Sequence, residues 1–139
     1  MVVTCNGCFD VLHSGHLFFL GYALSRGTSL VVGINSDDYI RRTKRLDFIP
    51  QEIRRENLLS LGFIKTVEIF EEDSPIEFIR RIRPNIHCTG VEYSENCAET
   101  QVCDELGIEL VFIPRVGDWS TTSIREKQNA GNDKGLPET

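Results

Sequence analysis

Five short apolar runs recur along this chain, each separated from the next by enough residues for a helix: Met1-Val2-Val3-Thr4, Ser29–Asn35, Thr66–Phe70, Asn85–Thr89 and Glu109–Ile113. Continuous β-branched and aliphatic runs of this length suit parallel strands covered on both faces. Between them lie segments with apolar residues at helical spacing, such as Leu17, Leu20 and Leu24. Strands alternating with helices give a parallel sheet with right-handed crossovers. The expected fold is therefore α/β: a single domain built on a doubly wound, five-stranded parallel sheet with helices on both faces. The domain is expected over residues 1–127, with a polar, disordered tail over 128–139.

The stretch Gly7-Cys8-Phe9-Asp10-Val11-Leu12-His13-Ser14-Gly15-His16 follows the first strand and opens the first helix. The first N–H groups of a helix have no partners within it, and the dipole's positive end lies there. A phosphate fits that position. His13 and His16, three apart, share one side of a helical turn, and Gly15 lets the backbone approach without a Cβ. A single histidine here would more often cap or pack. Two histidines bracketing a glycine point to an anion site.

In doubly wound sheets the ligand sits outside the carboxyl ends of the strands. His13, His16, Glu92 and the Ser120-Thr121-Thr122 run all follow strand ends, so they can converge. N-capping accounts for one hydroxyl of that run, and three exceed the need. Arg41-Arg42-Thr43-Lys44-Arg45 carries four cations in five residues. A solvated loop is the plain reading; a flap that brings cations over phosphates is the functional one. No residue stands out as an activated nucleophile. The set fits direct phosphoryl or nucleotidyl transfer, in which the protein positions charges.

Elsewhere the reading is structural. Gly27 is a stop signal after the first helix. Ser36-Asp37-Asp38 caps a short helix. Ser74-Pro75-Ile76-Glu77 reads as a helix start with a capping box, and Pro84 ends that helix. His87, alone on its strand, is expected to be structural.

The charge balance excludes one class of partner. With 15 Lys+Arg against 21 Asp+Glu, net −6, the chain lacks the basic face of a nucleic-acid binder. No run reaches the roughly 20 apolar residues of a membrane span, and no basic segment precedes the first strand to mark a signal peptide. The five cysteines are odd in number and read as free thiols, so a cytoplasmic location is expected. Cys5-Asn6-Gly7-Cys8 has C-x-x-C spacing, but Cys5 ends a strand, Cys8 starts the loop and no second close pair follows, so no metal site is expected.

The run from Gly7 to His16 resembles the HxGH signature of the cytidylyltransferase-like nucleotidyltransferases, and Ser120-Thr121-Thr122-Ser123-Ile124 resembles their second signature. Asn35-Ser36-Asp37, Lys44, Glu52-Ile53-Arg54 and Phe70-Glu71-Glu72-Asp73 fall in matching order, so the resemblance covers about residues 2–127. Within the family the chain resembles the adenylyltransferase domain of ADP-heptose synthases and glycerol-3-phosphate cytidylyltransferase. The resemblance implies a Rossmann-like fold. It implies that a phosphorylated substrate attacks the α-phosphate of a nucleoside triphosphate, with pyrophosphate leaving and Mg²⁺ bridging the phosphates. It implies catalytic roles for His13, His16 and Lys44. It implies nucleotide contacts from Gly7, Cys8, Phe9, Gly15, Gly90, Glu92, Arg115, Ser120, Thr121 and Thr122, and substrate contacts from Asp10, Arg42 and Arg54. A homodimer is implied as well. Thr89-Gly90-Val91-Glu92-Tyr93 departs from the Lys-Gly-x-Asp-Tyr of heptose-type enzymes. ATP and a sugar phosphate are the expected substrates, and CTP with glycerol 3-phosphate the alternative.

Overall fold

The computed structural model describes residues 1–43, 47–90 and 98–114. Ten elements follow in order: β1 (Val2–Gly7), α1 (Ser14–Ser25), β2 (Ser29–Asn35), α2 (Asp37–Thr43), α3 (Gln51–Leu59), β3 (Thr66–Phe70), α4 (Ile76–Ile82), β4 (Ile86–Gly90), α5 (Ala98–Leu106) and β5 (Glu109–Ile113). All five strands are parallel, in the order β3-β2-β1-β4-β5. The chain winds outward from β1 to β3, then crosses back to β4 beside β1. The expected sheet is the observed one. The expected boundary near residue 127 lies outside the described residues.

Alternation along the strands divides the core in two. Val3, Cys5, Leu30, Val32, Ile34, Ile86 and Cys88 face α1 and α3, meeting Leu20, Ala23 and Leu58. Val31 on β2 faces α4 and α5, where Phe78, Ile79, Val102 and Cys103 complete the second layer. Burying each such aliphatic side chain is worth about 1.5–3 kcal/mol against leaving it in water. Gly33 has a packing reason: a Cβ there would come 2.9 Å from the Phe78 ring. Gly27 likewise lies so close to β1 that a Cβ would meet Val3 Cγ2 at 2.6 Å and the Met1 carbonyl oxygen at 2.7 Å. The helix before it is capped by Arg26, so Gly27 is kept by that close approach rather than as the cap.

The helix starts differ in their chemistry. Ser36 Oγ accepts the Tyr39 N–H at 3.2 Å and caps α2, as expected. The capping box at Ser74 does not form. Pro75 occupies the cap position of α4, no side chain caps it, and Ser74 Oγ accepts the Ile76 N–H only at 3.5 Å. The helix starts one residue later than the pattern assumes, so Pro75 stands at the cap position and Ser74 lies one residue before it. Arg83, left-handed at φ 49°, ends that helix before Pro84.

His87 is buried, paired in register with Thr4. Its Nδ1 lies 2.7 Å from Thr4 Oγ1, and burial pushes its pKa down to about 3. The imidazole is a neutral core group, in keeping with the structural role expected of it.

Candidate active site

The loop from β1 to α1 arrives where the strand order reverses, between β1 and β4. Its shape begins at Gly7, where a Cβ would meet the Phe9 ring at 3.0 Å. Phe9 itself is left-handed, with φ 50°, a conformation that costs a non-glycine residue free energy and persists only where its surroundings impose it. The Phe9 ring is buried against the α1–α3 layer and lies tilted to His16 with centroids 5.2 Å apart.

His13 is the N-cap of α1. Its Nδ1 accepts the Gly15 N–H at 3.1 Å. A nitrogen that accepts carries no proton, so the neutral ring is protonated at Nε2. That Nε2 is buried with no partner, as are Ser14 Oγ and His16 Nδ1. The two imidazoles stack, centroids 3.9 Å apart and planes 25° apart. Burial lowers the pKa of His13. Burial, then the neighbouring His13, lowers that of His16 to about 4, against the opposing pull of the Val11 carbonyl. The first turn of α1 contains no acidic residue. Buried polar groups are almost always paired. Three left unpaired within four residues, at the positive end of a twelve-residue helix, make a cradle for an anion.

The remaining residues fall into three groups. Cys8 Sγ donates to Asn35 Oδ1 at 3.3 Å, and Gly90 ends β4, buried. Asp10 is 2% exposed, and its Oδ1 accepts the Ile49 N–H at 2.8 Å. Arg54, expected to touch substrate, is fully buried and donates to protein groups on all sides. Arg42, also expected there, is exposed and pairs with Asp73 at 3.3 Å. Its neighbour Arg41 pairs with Asp38 at 3.0 Å. Lys44, Glu92, Arg115, Ser120, Thr121 and Thr122 lie outside the described residues.

Four residues were given no site role in the sequence reading. Ser14 is one; its signal was its place between the two histidines. Asn35 and Asp37, at the end of β2 and the start of α2, entered the sequence reading only through the family resemblance and as part of a helix start, and the strand-end rule applied to β2 would have pointed to them as site residues. Glu99, in the first turn of α5, is 8% exposed. Burial raises its pKa, while a hydrogen bond from Thr89 opposes the rise. A lone Glu at a helix start carries no sequence signal.

Among the described residues no three His, Cys, Asp or Glu side chains are placed to hold a metal ion, and no helix is long and apolar enough to cross a membrane.

The chain resembles known proteins over most of its length. It is 40% identical over 129 residues to bifunctional protein HldE of Geobacter sulfurreducens, covering 91% of this chain and 26% of that protein. It is 46% identical over 94 residues to bifunctional protein HldE of Campylobacter curvus, covering 66% of this chain and 20% of that one. The chain thus spans about a quarter or less of the length of these relatives. Among solved structures, the lipopolysaccharide core biosynthesis protein of Thermoplasma volcanium superposes with a TM-score of 0.67 at 24% identity, covering 86% of this chain and 98% of that one. A protein from Archaeoglobus fulgidus superposes with a TM-score of 0.66 at 25% identity, covering 81% and 89%. The sequence profile of the cytidylyltransferase-like family matches residues 4–127, and with a doubly wound sheet behind a paired-histidine helix start, the chain belongs to that family.

Proposed function

We propose that this chain transfers a nucleoside monophosphate from a nucleoside triphosphate to a small phosphorylated acceptor, releasing pyrophosphate. The observation that carries the reading is the trio of buried, unpartnered polar atoms, His13 Nε2, Ser14 Oγ and His16 Nδ1, at the start of α1. A neutral His13 with its proton on Nε2 is a hydrogen-bond donor waiting for an acceptor, and a phosphate oxygen supplies one. The acceptor's phosphate oxygen attacks the α-phosphorus as the bond to the pyrophosphate oxygen breaks. The protein's part is to hold the phosphates and stabilise the charge that develops on them. Lys44 and the Ser120–Thr122 hydroxyls would add to that stabilisation, and Arg115 and Glu92 to binding of the nucleotide.

Mg²⁺ fits as the companion of the triphosphate. It is a hard cation that keeps few protein ligands and takes the rest of its shell from phosphates and water. When bound it would neutralise phosphate charge.

We further propose ATP as nucleotide and a heptose-phosphate-like sugar phosphate as acceptor. The support is the heptose-type sequence resemblance and the similarity to bifunctional HldE proteins. Phosphate contacts are blind to the base, so that choice rests on polar groups at the ring edge, where a missing partner can cost orders of magnitude. The test is pyrophosphate release with ATP and with CTP across a panel of sugar phosphates and glycerol 3-phosphate. Release with ATP and a sugar phosphate is expected. Turnover only with CTP and glycerol 3-phosphate would replace the substrates, and nucleotide binding without turnover under any pairing would make the chain a binding module.

A further inference from the structure

A left-handed backbone suits glycine, yet Phe9 adopts it at φ 50° with a bulky apolar side chain. Glycine there would relieve the strain, so something the ring does offsets it. Packing is part of the answer: Phe9 is 6% exposed and belongs to the core layer beneath α1 and α3. A leucine would also pack there. What leucine lacks is a flat face for His16, whose ring lies 5.2 Å from that of Phe9 with the planes 57° apart, a tilted geometry that aromatic pairs favour.

Phe9, His16 and His13 form one run of three rings, since His16 also stacks on His13 with centroids 3.9 Å apart. His13 is fixed independently, through the Gly15 N–H that its Nδ1 accepts. His16 is held differently. Its Nδ1 is buried with no hydrogen-bond partner, so nothing polar turns the ring from that side. Its two aromatic neighbours and the pull of the Val11 carbonyl set its direction.

The backbone around Phe9 keeps the ring in place. Gly7 passes so close that a Cβ would lie 3.0 Å from Phe9 Cε2. On one flank the Cys8 carbonyl accepts from Arg54 Nη1 at 2.9 Å. On the other, Asp10 Oδ1 accepts the Ile49 N–H at 2.8 Å. Arg54 is fully buried, and a buried guanidinium is tolerated only when paired and bonded. Its Nε donates to the Ile49 carbonyl at 2.7 Å, Nη1 also to the Asn35 carbonyl at 2.9 Å, and Nη2 to Asp37 Oδ1 at 2.9 Å. Asp37 is braced in turn: its N–H donates to Gln51 Oε1 and the Gln51 N–H to its Oδ1, each at 2.8 Å, so each helix start caps the other. Both neighbours of Phe9 are thus bonded across to Arg54 or Ile49, the over-determination that a strained conformation requires.

We propose that the Phe9 side chain is a positioning residue: its ring, set by a left-handed backbone, aims His16 at the phosphates and keeps water away from it. This rests on the reading of the histidine loop as the phosphate site. The ring touches no reacting atom in this proposal; it acts through His16. Burial, then the neighbouring His13, holds the His16 pKa down to about 4, and a wetter imidazole returns toward its ordinary value.

Phe9→Leu tests this by keeping an apolar side chain and removing the flat face. Gly7→Ala keeps the ring and pushes on it. The chain has three histidines, so each ring can be followed by NMR in the ligand-free protein from about pH 5 to about 8. In the wild type His16 should stay neutral throughout. In Phe9→Leu it should titrate within that range, binding its proton about tenfold or more tightly, and Gly7→Ala should move it the same way by less. His87, neutral in the core, reports that the fold is intact. In Phe9→Leu kcat should fall about tenfold or more with KM within about threefold, as expected when a transition-state contact is misaimed. An unmoved His16 in a Phe9→Leu protein whose His87 is still neutral overturns the proposal, and so does a rise in KM with wild-type kcat. Should Phe9→Leu not fold, Gly7→Ala decides: a moved His16 supports the role of the ring and an unmoved one sinks it. If the wild type releases no pyrophosphate with any pairing, the proposed reaction fails, and the His16 titration alone decides the role of the ring.

Discussion

His13 uses one side of its ring to hold its own helix and leaves the other for a ligand: Nδ1 accepts the Gly15 amide proton at 3.1 Å, while Nε2 is buried without a partner. The cap dictates the tautomer, and the tautomer dictates that the ring donates. His13→Asn keeps an oxygen near the position of Nδ1, so it should keep most of the cap and lose the donor. The expected result is a melting temperature near that of the wild type with turnover down by about 10²–10³. His13→Ala should lose the cap as well, at about 0.5–2 kcal/mol. Thermal melts and turnover on both variants separate the two functions; full activity in a folded His13→Asn would refute the donor role.

His87 gives the fold a pH dependence with a definite sign. Its folded pKa, about 3, lies below the unfolded 6.5. The unfolded chain therefore binds the extra proton first, and stability falls as the pH drops from 6.5 toward 3. His87→Asn should flatten this limb, removing about 2 kcal/mol of the difference between pH 7 and pH 5. Glu99, with a raised pKa, acts in the opposite direction and is common to both proteins. Denaturant melts at the two pH values read the effect, and identical losses in variant and wild type would show that His87 does not carry it.

Gly33→Ala should destabilise the second core layer. The added methyl would lie 2.9 Å from the Phe78 ring, which is itself stacked on Phe70 with centroids 5.8 Å apart. Overpacking of this kind costs about 1–3 kcal/mol. Pairing the change with Phe78→Leu should restore part of the loss. A wild-type melting curve for Gly33→Ala alone would mean the ring gives way freely.

Association is a proposal from the family resemblance. Light scattering at micromolar concentration should give twice the 15.8 kDa chain mass. A mass matching one chain would remove dimerisation from the account.

The sheet was legible because its strands are unbroken apolar runs, and the histidine loop because two imidazoles and a glycine crowd one strand-to-helix turn. Arg54 was not. Helical patterning places an arginine in water and an isoleucine inside, and α3 does the reverse at positions 53 and 54. What buries Arg54 is a set of carbonyls contributed by residues 5 to 46 positions away, which no local pattern contains. The capping box at Ser74 failed for a related reason. Local rules assign a cap by spacing, and the helix began one residue later than the spacing assumed. His87 was read correctly as structural, yet its partner Thr4 lies 83 residues earlier and emerges only when β1 and β4 pair.

The mutual capping of Asp37 and Gln51 turns the stretch between them into a cassette. Its two ends are sewn together at the base, so the sheet does not register what is sewn in. Loop closure grows only as the logarithm of length. Insertions and exchanges between residues 43 and 47 should therefore cost the fold little. That short segment can change in length and composition with the histidine loop left as it is.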